Sequence, residues 1–436
     1  MQLIYKFHKM ESDNNLFDLG KEINLPVWDI IRYSVYVKYY YPEKDRAKLS
    51  EAPTRNISDY IKLIFKIVPF VFTVLTNRKK NVILTASRYI NDNAEYFDKS
   101  AMPIINTLDG QVLVFEPILV RKMAYKYLYD FSNLFRKFHK SDSIPLEYWT
   151  KIDAALTQNL GESLVTYDEV DSIVKIFKSD FLFFKTLFKI LKNKKLIICT
   201  GNPKACILAS KNLGIETYLV QHAGIEIDEI DYSYPSDIKN TSPILFADYV
   251  LTFGNYWCKN INVPTKKVIP LGNDYFCSKP NVESDDSVLI ISTIVHGEEL
   301  SKLTLELANK NSDLKIVYKL HPNEYHLKGE YNIFFKDNKN VNVITTEVDT
   351  SILIAKSQLV VLIVSAVIYE ALNQNKKVAV YKKINYERQL HLMNYENCYM
   401  FDFAEELINI LSVNTKESDF DFYKKSDIPV IKNLFK

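Results

Sequence analysis

From Leu196 onward the chain alternates short apolar runs with amphipathic stretches, and this rhythm constrains the fold more than any other feature. LIICT (196–200) reads as a buried strand, GNPKACILASKNLG (201–214) as a turn, a helix and a glycine stop, and IETYLV (215–220) as the next strand. The rhythm restarts at SVLIIS (287–292), followed by a loop from Thr293 to Gly297, a helix over Glu298 to Asn309, and LKIVYKL (314–320) ending at His321-Pro322. VNVITT, a helix near Thr350 to Ala355, LVVLIV (359–364), a helix over Ala366 to Leu372 and KVAVYK (377–382) continue it. Short apolar strands separated by helices predict α/β architecture with parallel sheets covered on both faces.

FADYVLTFG (246–254) reads as a further strand of a first sheet, and KKVIPLGND (266–274) as a crossover toward a second; the polar segment Ser278 to Asp286 marks the boundary. The earlier half is less regular. NVILTAS (81–87) and GQVLVFEP (110–117) read as strands, and Tyr60 to Leu75, Met123 to Lys140 and Glu169 to Ile190 as helices. Two Rossmann-like domains fit the length of 436 residues.

Composition excludes several function classes. With 55 Lys plus Arg against 53 Asp plus Glu, the net charge of +2 carries no nucleic-acid footprint. The five cysteines, Cys199, Cys206, Cys258, Cys277 and Cys398, form no CxxC pair, which suits a reducing compartment and gives no metal signal. A cytoplasmic location follows as the expectation, because MQLIYKFHKMESDNN lacks the apolar core of a signal peptide. Ile61 to Leu75 is apolar but interrupted by Lys62, Lys66 and Pro69, so it fits a core or a membrane surface better than a membrane span. No HExxH, EF-hand, zinc cluster or GxSxG elbow is present.

Ligands of open parallel sheets bind beyond the carboxyl ends of strands, so residues just after strands are the site candidates. His222, in Gln221-His222-Ala223-Gly224, is a candidate general base or a turn histidine bonded to the backbone. His321 is presented by Pro322 as a phosphate donor or a cap, with Lys319, Asn323 and Glu324 beside it. Ser365 is placed to N-cap the next helix, whose terminus would also suit a phosphate, and Glu370 lies one turn on, toward a ribose or toward solvent. Thr293 and His296 sit in a loop whose amides suit a diphosphate. Arg88 is a fork for an acceptor carboxylate or phosphate, or a partner of Asp92, Glu95 or Asp98. Arg121 to Lys140 interleaves basic and aromatic residues, which suits anionic lipid or simply an amphipathic helix.

QHAG (221–224), FADYVLTFG with VIPLGND, KLHPNE (319–324), and VSAVIYEAL (364–372) with KKVAVYK resemble bacterial surface-polysaccharide glycosyltransferases of the two-domain GT-B type. That group includes capsule and lipopolysaccharide transferases and the related glycerophosphotransferases of teichoic-acid synthesis. LPVWDIIRYSVY (25–36) and residues 83–108 are similar to the opening of the acceptor domain of such enzymes. The resemblance implies two Rossmann-like domains with sheets facing across a cleft: an acceptor domain over 1–277 and a nucleotide-donor domain over 278–436, the last helix a candidate to pack back on the first. It implies that His321 and Ser365 contact donor phosphate and that Glu370 lies near the ribose; family members often carry a tandem Ser-Thr pair where this chain has Ser365-Ala366. The glycerophosphotransferases use a His-Gly pair as base, and here Ala223 separates His222 from Gly224. His222 as base is the mechanistic expectation, with Glu116, Asp98 or Asp274 as acidic alternatives and Arg88, Asp98 and Glu116 expected toward the acceptor. The expected substrates are a nucleotide sugar and an oligosaccharide or lipid-linked glycan, without a metal or other cofactor. Peripheral association with the inner face of the bacterial inner membrane is expected of the family. A nucleotide-sugar 2-epimerase, a glycerophosphotransferase and a non-catalytic polysaccharide-binding scaffold are the alternatives.

Overall fold

The computed structural model describes residues 2–41, 57–87, 89–91, 93–116, 122–226, 229–238, 244–259, 261–346, 348–383 and 385–436. They form two compact units. Unit 1 runs to Asn273 and regains Lys425–Lys436, and unit 2 is Asp274–Lys424.

The strands of unit 1 are β1 (Asn81–Leu84), the short antiparallel pair β2 (Tyr89–Ile90) and β3 (Tyr96–Phe97), β4 (Val112–Glu116), β5 (Leu128–Tyr129), β6 (Lys195–Ile198), β7 (Glu216–Val220), β8 (Tyr249–Thr252) and β9 (Lys267–Pro270). Apart from the hairpin they make one parallel sheet in the order β5-β4-β1-β6-β7-β8-β9. Leu196, Ile197 and Ile198 are all fully buried. Burial on both faces is what turns these strands into continuous apolar runs instead of alternating ones. One face packs Ile197, Tyr218 and Val220 with helix Met102–Leu108 and with helix Ile428–Phe435, whose Ile431 and Phe435 are buried there. Helix Tyr167–Leu191 packs against helix Lys204–Asn212. It starts at a reciprocal cap in which Glu169 N donates to Thr166 Oγ1 (3.3 Å) and Thr166 N to Glu169 Oε2 (2.9 Å). Helices Gln2–Asp13 and Val27–Tyr40 are joined by a buried ion pair: Arg32 donates to both Glu11 oxygens and to the Ile230 and Ser233 carbonyls.

Unit 2 holds β10 (Ser287–Ile291), β11 (Ile316–Lys319), β12 (Val341–Ile344), β13 (Ser357–Leu362), β14 (Lys377–Tyr381) and β15 (Cys398–Phe401). Every pairing is parallel, in the order β12-β11-β10-β13-β14-β15. Numbered within the unit this is 3-2-1-4-5-6, the Rossmann order, and the large parallel sheet of unit 1 opens with the same 3-2-1-4 pattern.

Three expectations are corrected. Residues 266–274 do not simply cross over: Lys267–Pro270 is the edge strand β9, only half-buried, which is why its lysine and proline are tolerated. Met123 to Lys140 is not one helix, because Leu128–Tyr129 pairs with β4, Asp130 N donates to the Glu116 carbonyl (3.0 Å), and the helix is confined to Ser132–Phe138. The boundary falls four residues before the expected one, since Asp274–Cys277 is a helical turn of unit 2 whose Phe276 stacks on Tyr423 at 5.6 Å.

Candidate functional site

In unit 2 the order in which strands are added reverses between β10 and β13, so the loops after these two strands flank the switch point where ligands of such sheets bind. Those loops carry Thr293, His296 and Ser365, and β11 next door delivers Lys319 and His321. Four of the expected donor residues thus follow three adjacent strands, with Lys319 the last residue of β11.

The geometry around His321 is the most constrained. Pro322 opens a turn in which His321 N donates to Glu324 Oε2 (3.1 Å) while Asn323 N donates to His321 Nδ1 (3.2 Å). An imidazole whose Nδ1 accepts carries its proton, when neutral, on Nε2. The turn therefore fixes the tautomer and leaves the far edge of the ring a donor. Glu324, 2% exposed, also accepts from Tyr331 Oη (2.9 Å). Tyr318 Oη donates to the Gly297 carbonyl (3.1 Å) and lies 3.2 Å from Ser292 Oγ, tying the loop after β10 to the floor beneath it.

The other donor candidates are more engaged with their own backbone. His296 N donates to the Thr293 carbonyl (3.1 Å) and Oγ1 (3.3 Å), so Thr293 closes its own turn; His296 occupies the cap position of helix Gly297–Lys310 and is buried. Lys319 is buried, and its ammonium donates to Tyr325 Oη (3.0 Å) and the Leu320 carbonyl (3.3 Å), with the Tyr325 ring 4.9 Å away. Ser365 caps the helix start as expected: Ala366 already has helical angles, and Val367 N donates to Ser365 Oγ (3.3 Å). Glu370 lies on the partly exposed side of helix Val367–Asn373, whose buried side carries Ile368, Tyr369, Ala371 and Leu372.

In unit 1 Glu116, the last residue of β4, and Asp98, directly after β3, bring a pair of buried carboxylates to either side of the turn that follows β1. Glu116 Oε2 accepts from Thr85 Oγ1 (2.9 Å), Ser87 N (3.1 Å) and Ser87 Oγ (2.7 Å), and Ser87 Oγ also lies 2.7 Å from Tyr125 Oη. Asp98 accepts from Ala86 N (3.0 Å) on one oxygen and from Ser100 N (2.8 Å) and Ala101 N (3.2 Å) on the other. Burial pushes the Asp98 carboxyl up to about 6; the three amides oppose this and the nearby Glu116 adds to it. Arg88, expected beside them, lies outside the described residues. Thr85 and Tyr125 complete the cluster and were not anticipated as site residues; the position of Thr85 directly after a strand was the available signal.

His222 follows β7 and is half-buried. Its turn is set by Gln221, fully buried, whose Oε1 accepts from Phe253 N (2.8 Å) and whose Nε2 donates to the Ala223 carbonyl (2.9 Å). Gln221 thus joins the ends of β7 and β8 and holds the loop that carries the histidine. Asp274 begins the helical turn at the start of unit 2. A depression of about 450 Å³ on unit 1 is lined in part by Arg136, Lys175 and His139. Two of its cations are already engaged, Arg136 with Asp180 and Lys175 with Asp171, and it lies on helix Tyr167–Leu191 instead of at the strand ends. Among the described residues no group of three or more His, Cys, Asp or Glu side chains is arranged to hold a metal ion.

Residues 254–389 match the family described as capsule polysaccharide biosynthesis protein. The matched span contains VIPLGND, KLHPNE, VSAVIYEAL and KKVAVYK, and with them His296, His321, Ser365 and Glu370. No curated protein matches the chain. Among solved structures the chain is similar to the UDP-GlcNAc 2-epimerase of Methanocaldococcus jannaschii, at a TM-score of 0.51 and 16% identity, over 81% of this chain and 99% of that one. It is likewise similar to S. aureus MnaA, solved with UDP, at a TM-score of 0.51 and 13% identity, over 81% of this chain and 95% of that one. At these identities the likeness is one of fold: two Rossmann-like units in sequence.

Proposed function

We propose that the chain is a glycosyltransferase of bacterial surface-polysaccharide synthesis that moves a sugar from a nucleotide-activated donor to a glycan acceptor. One observation carries the reading: the span matched to the capsule-synthesis family includes the loops that a Rossmann-ordered sheet brings to and beside its switch point, among them that of His321, with its tautomer set by Asn323 and its backbone held by Glu324. In this reading unit 2 receives the nucleotide. The Nε2 proton of His321, the loop amides after Thr293 and the Ser365 hydroxyl take up charge on the phosphate as the anomeric C–O bond breaks. His222 removes the proton of the attacking hydroxyl, with Gln221 holding its turn.

The test is calorimetry of the full chain with CMP, CDP, UDP, GDP and dTDP, followed by turnover with the sugar conjugate of the nucleotide that binds. His321→Ala should weaken nucleotide binding by roughly 10- to 100-fold, the range for losing a charge-assisted hydrogen bond. His222→Ala should leave binding intact and slow turnover by about 10²- to 10⁴-fold. Binding unaffected by His321→Ala, or turnover unaffected by His222→Ala, overturns the corresponding role.

A second reading, epimerisation of the free nucleotide sugar, is favoured by the Asp98–Glu116 pair, because a carboxyl pushed up to about 6 is suited to trading protons at carbon. Incubation in D₂O without acceptor separates the two readings. Deuterium at a sugar carbon marks epimerisation, whereas transfer requires the acceptor and leaves the sugar carbons unlabelled.

A further inference from the structure

Helix Ile57–Thr76 presents an uncovered apolar stripe. Phe65, Val68, Phe72 and Leu75 recur at spacings of three and four, which places them on one side of the helix, and they are 77%, 76%, 68% and 55% exposed. The other side is committed to unit 1: Phe70 meets Phe115 and Phe131 edge-on, Val74 is buried, and Lys66 donates to Tyr127 Oη (2.9 Å). A contiguous row of exposed bulky residues on one helix marks an interaction surface, whereas scattered single ones do not.

Charge selects the occupant. From Tyr60 to Lys80 there is no Asp or Glu, while Lys62, Lys66, Arg78, Lys79 and Lys80 are all present. The carboxyl end of the helix is joined to that of helix Tyr167–Leu191, since Lys79 N donates to the Leu191 carbonyl (2.7 Å) and Arg78 Nε to the Ile190 carbonyl (3.1 Å). Exposed Lys189, Lys192 and Lys194 therefore join Arg78 and Lys79 in one basic cluster beside the stripe. The one acid of the helix, Asp59, lies in its first turn, at the opposite end from this cluster, and an apolar face with a basic rim fits an anionic lipid surface. Among the described residues no helix is long and apolar enough to cross a membrane. Among the described residues of the basic-aromatic segment ending at Lys140, Phe138 is broadly exposed but stands alone, since Tyr129 and Phe131 are buried and Arg136 is paired with Asp180.

We infer that helix Ile57–Thr76 docks the protein on an anionic bilayer, laying Phe65, Val68, Phe72 and Leu75 among the acyl chains with the Arg78, Lys79, Lys189 and Lys192 cluster on the headgroups. The test is co-sedimentation of the full chain with phosphatidylcholine vesicles, with and without about a third of phosphatidylglycerol, at low and high salt. The wild type should partition onto the anionic vesicles only, less so at high salt. Val68→Asp with Phe72→Asp should cut partitioning roughly tenfold or more while circular dichroism and Tm stay unchanged, as both sites are exposed. Lys189→Glu with Lys192→Glu should cut it by a similar factor. Absence of wild-type partitioning, or partitioning that survives Val68→Asp with Phe72→Asp, overturns the inference. So does sedimentation velocity showing a dimer that this variant dissociates, which would make the stripe a contact between two copies. None of these readouts uses activity, so their failure leaves the glycosyl-transfer reading untouched.

Discussion

Gly297→Ala sets two effects of opposite sign against each other, and the structure decides between them. Gly297 is the first residue of helix Gly297–Lys310, where alanine is normally favoured over glycine by up to about 1 kcal/mol. A Cβ there would stand 2.5 Å from Glu324 Oε1 and 2.5 Å from Tyr331 Oη, with Ser292 Oγ at 3.4 Å. Both close atoms are side-chain ends, so the clash is relieved by moving them. They are also bonded to each other, and the same carboxylate holds His321 N. Hydrogen bonds to a charged group contribute about 1.5–3 kcal/mol each, and a buried Glu324 cannot exchange them for water. If the shift weakens both without abolishing either, the net loss after the helix gain is about 1–3 kcal/mol. For a unit of this size a loss near 2 kcal/mol lowers Tm by roughly 4–8 °C.

The assay is thermal unfolding followed by circular dichroism, paired with calorimetry using the nucleotide that the wild type binds. Gly297→Ala should unfold earlier and bind more weakly, because the Glu324 bond that holds the His321 backbone is weakened. Tyr331→Phe supplies the control, since it removes one of the two crowding oxygens. Combined with Gly297→Ala it should cost less than the sum of the two single changes. A Gly297→Ala protein that melts higher than wild type with unchanged affinity would show that the pocket above Gly297 is open, and would refute the reasoning.

Two further outcomes follow from buried charge. Glu11→Gln should destabilise unit 1 by about 3–5 kcal/mol in urea unfolding, because the fully buried Arg32 guanidinium loses its counter-ion; a change below about 1 kcal/mol would mean that the Ile230 and Ser233 carbonyls suffice. Asp98, pushed from 3.8 to about 6 in the folded chain, binds its proton more tightly folded than unfolded. Its contribution to stability should therefore be fully present below pH 3.8 and be lost as pH rises to 6, by up to about 3 kcal/mol, and Asp98→Asn should flatten this part of the profile. Parallel wild-type and variant curves across that window would refute the shift.

Legibility followed burial. β10, β11, β13 and β14 were plain because they are covered on both faces, β10 at all five positions, which makes each a short apolar run, whereas β15, only half-buried at Tyr399 and Met400, was not anticipated. β9 was missed because an edge strand needs no such run, and its lysine and proline read as a loop. Around Tyr125, Tyr127, Tyr129 and Phe131 the aromatic residues recur every second position, which is a strand period, but the intervening basic residues invited a helical reading. Two paired residues were enough to settle it. The Glu11–Arg32 pair left no local trace, since it depends on residues far apart in sequence, and the packing of helix Ile428–Phe435 on unit 1 had only the family resemblance to suggest it.

The candidate site was half legible for a related reason. Position after a strand picked out His222, His321 and Ser365, while Asp98 and Glu116 entered only as acidic alternatives, and position alone does not tell whether a polar group serves a ligand or its own turn. In both units a buried carboxylate receives the amides of the turn that follows a strand: Glu324 for the turn of His321, Glu116 and Asp98 for the turn of Ala86 and Ser87. The carboxylate orders the turn, and the side chain carried by that turn becomes the group with chemistry to offer. This logic ranks His321 above Lys319, although the lysine bears the fuller charge. The lysine ammonium donates to Tyr325 and Leu320 within its own turn, while the imidazole accepts through Nδ1 and so must present its proton at Nε2. Two carboxylates share one turn, and Asp98, whose affinity for a proton rises toward neutrality, can change charge during a reaction without the turn dissolving, because Glu116 also holds it through Thr85 and Ser87.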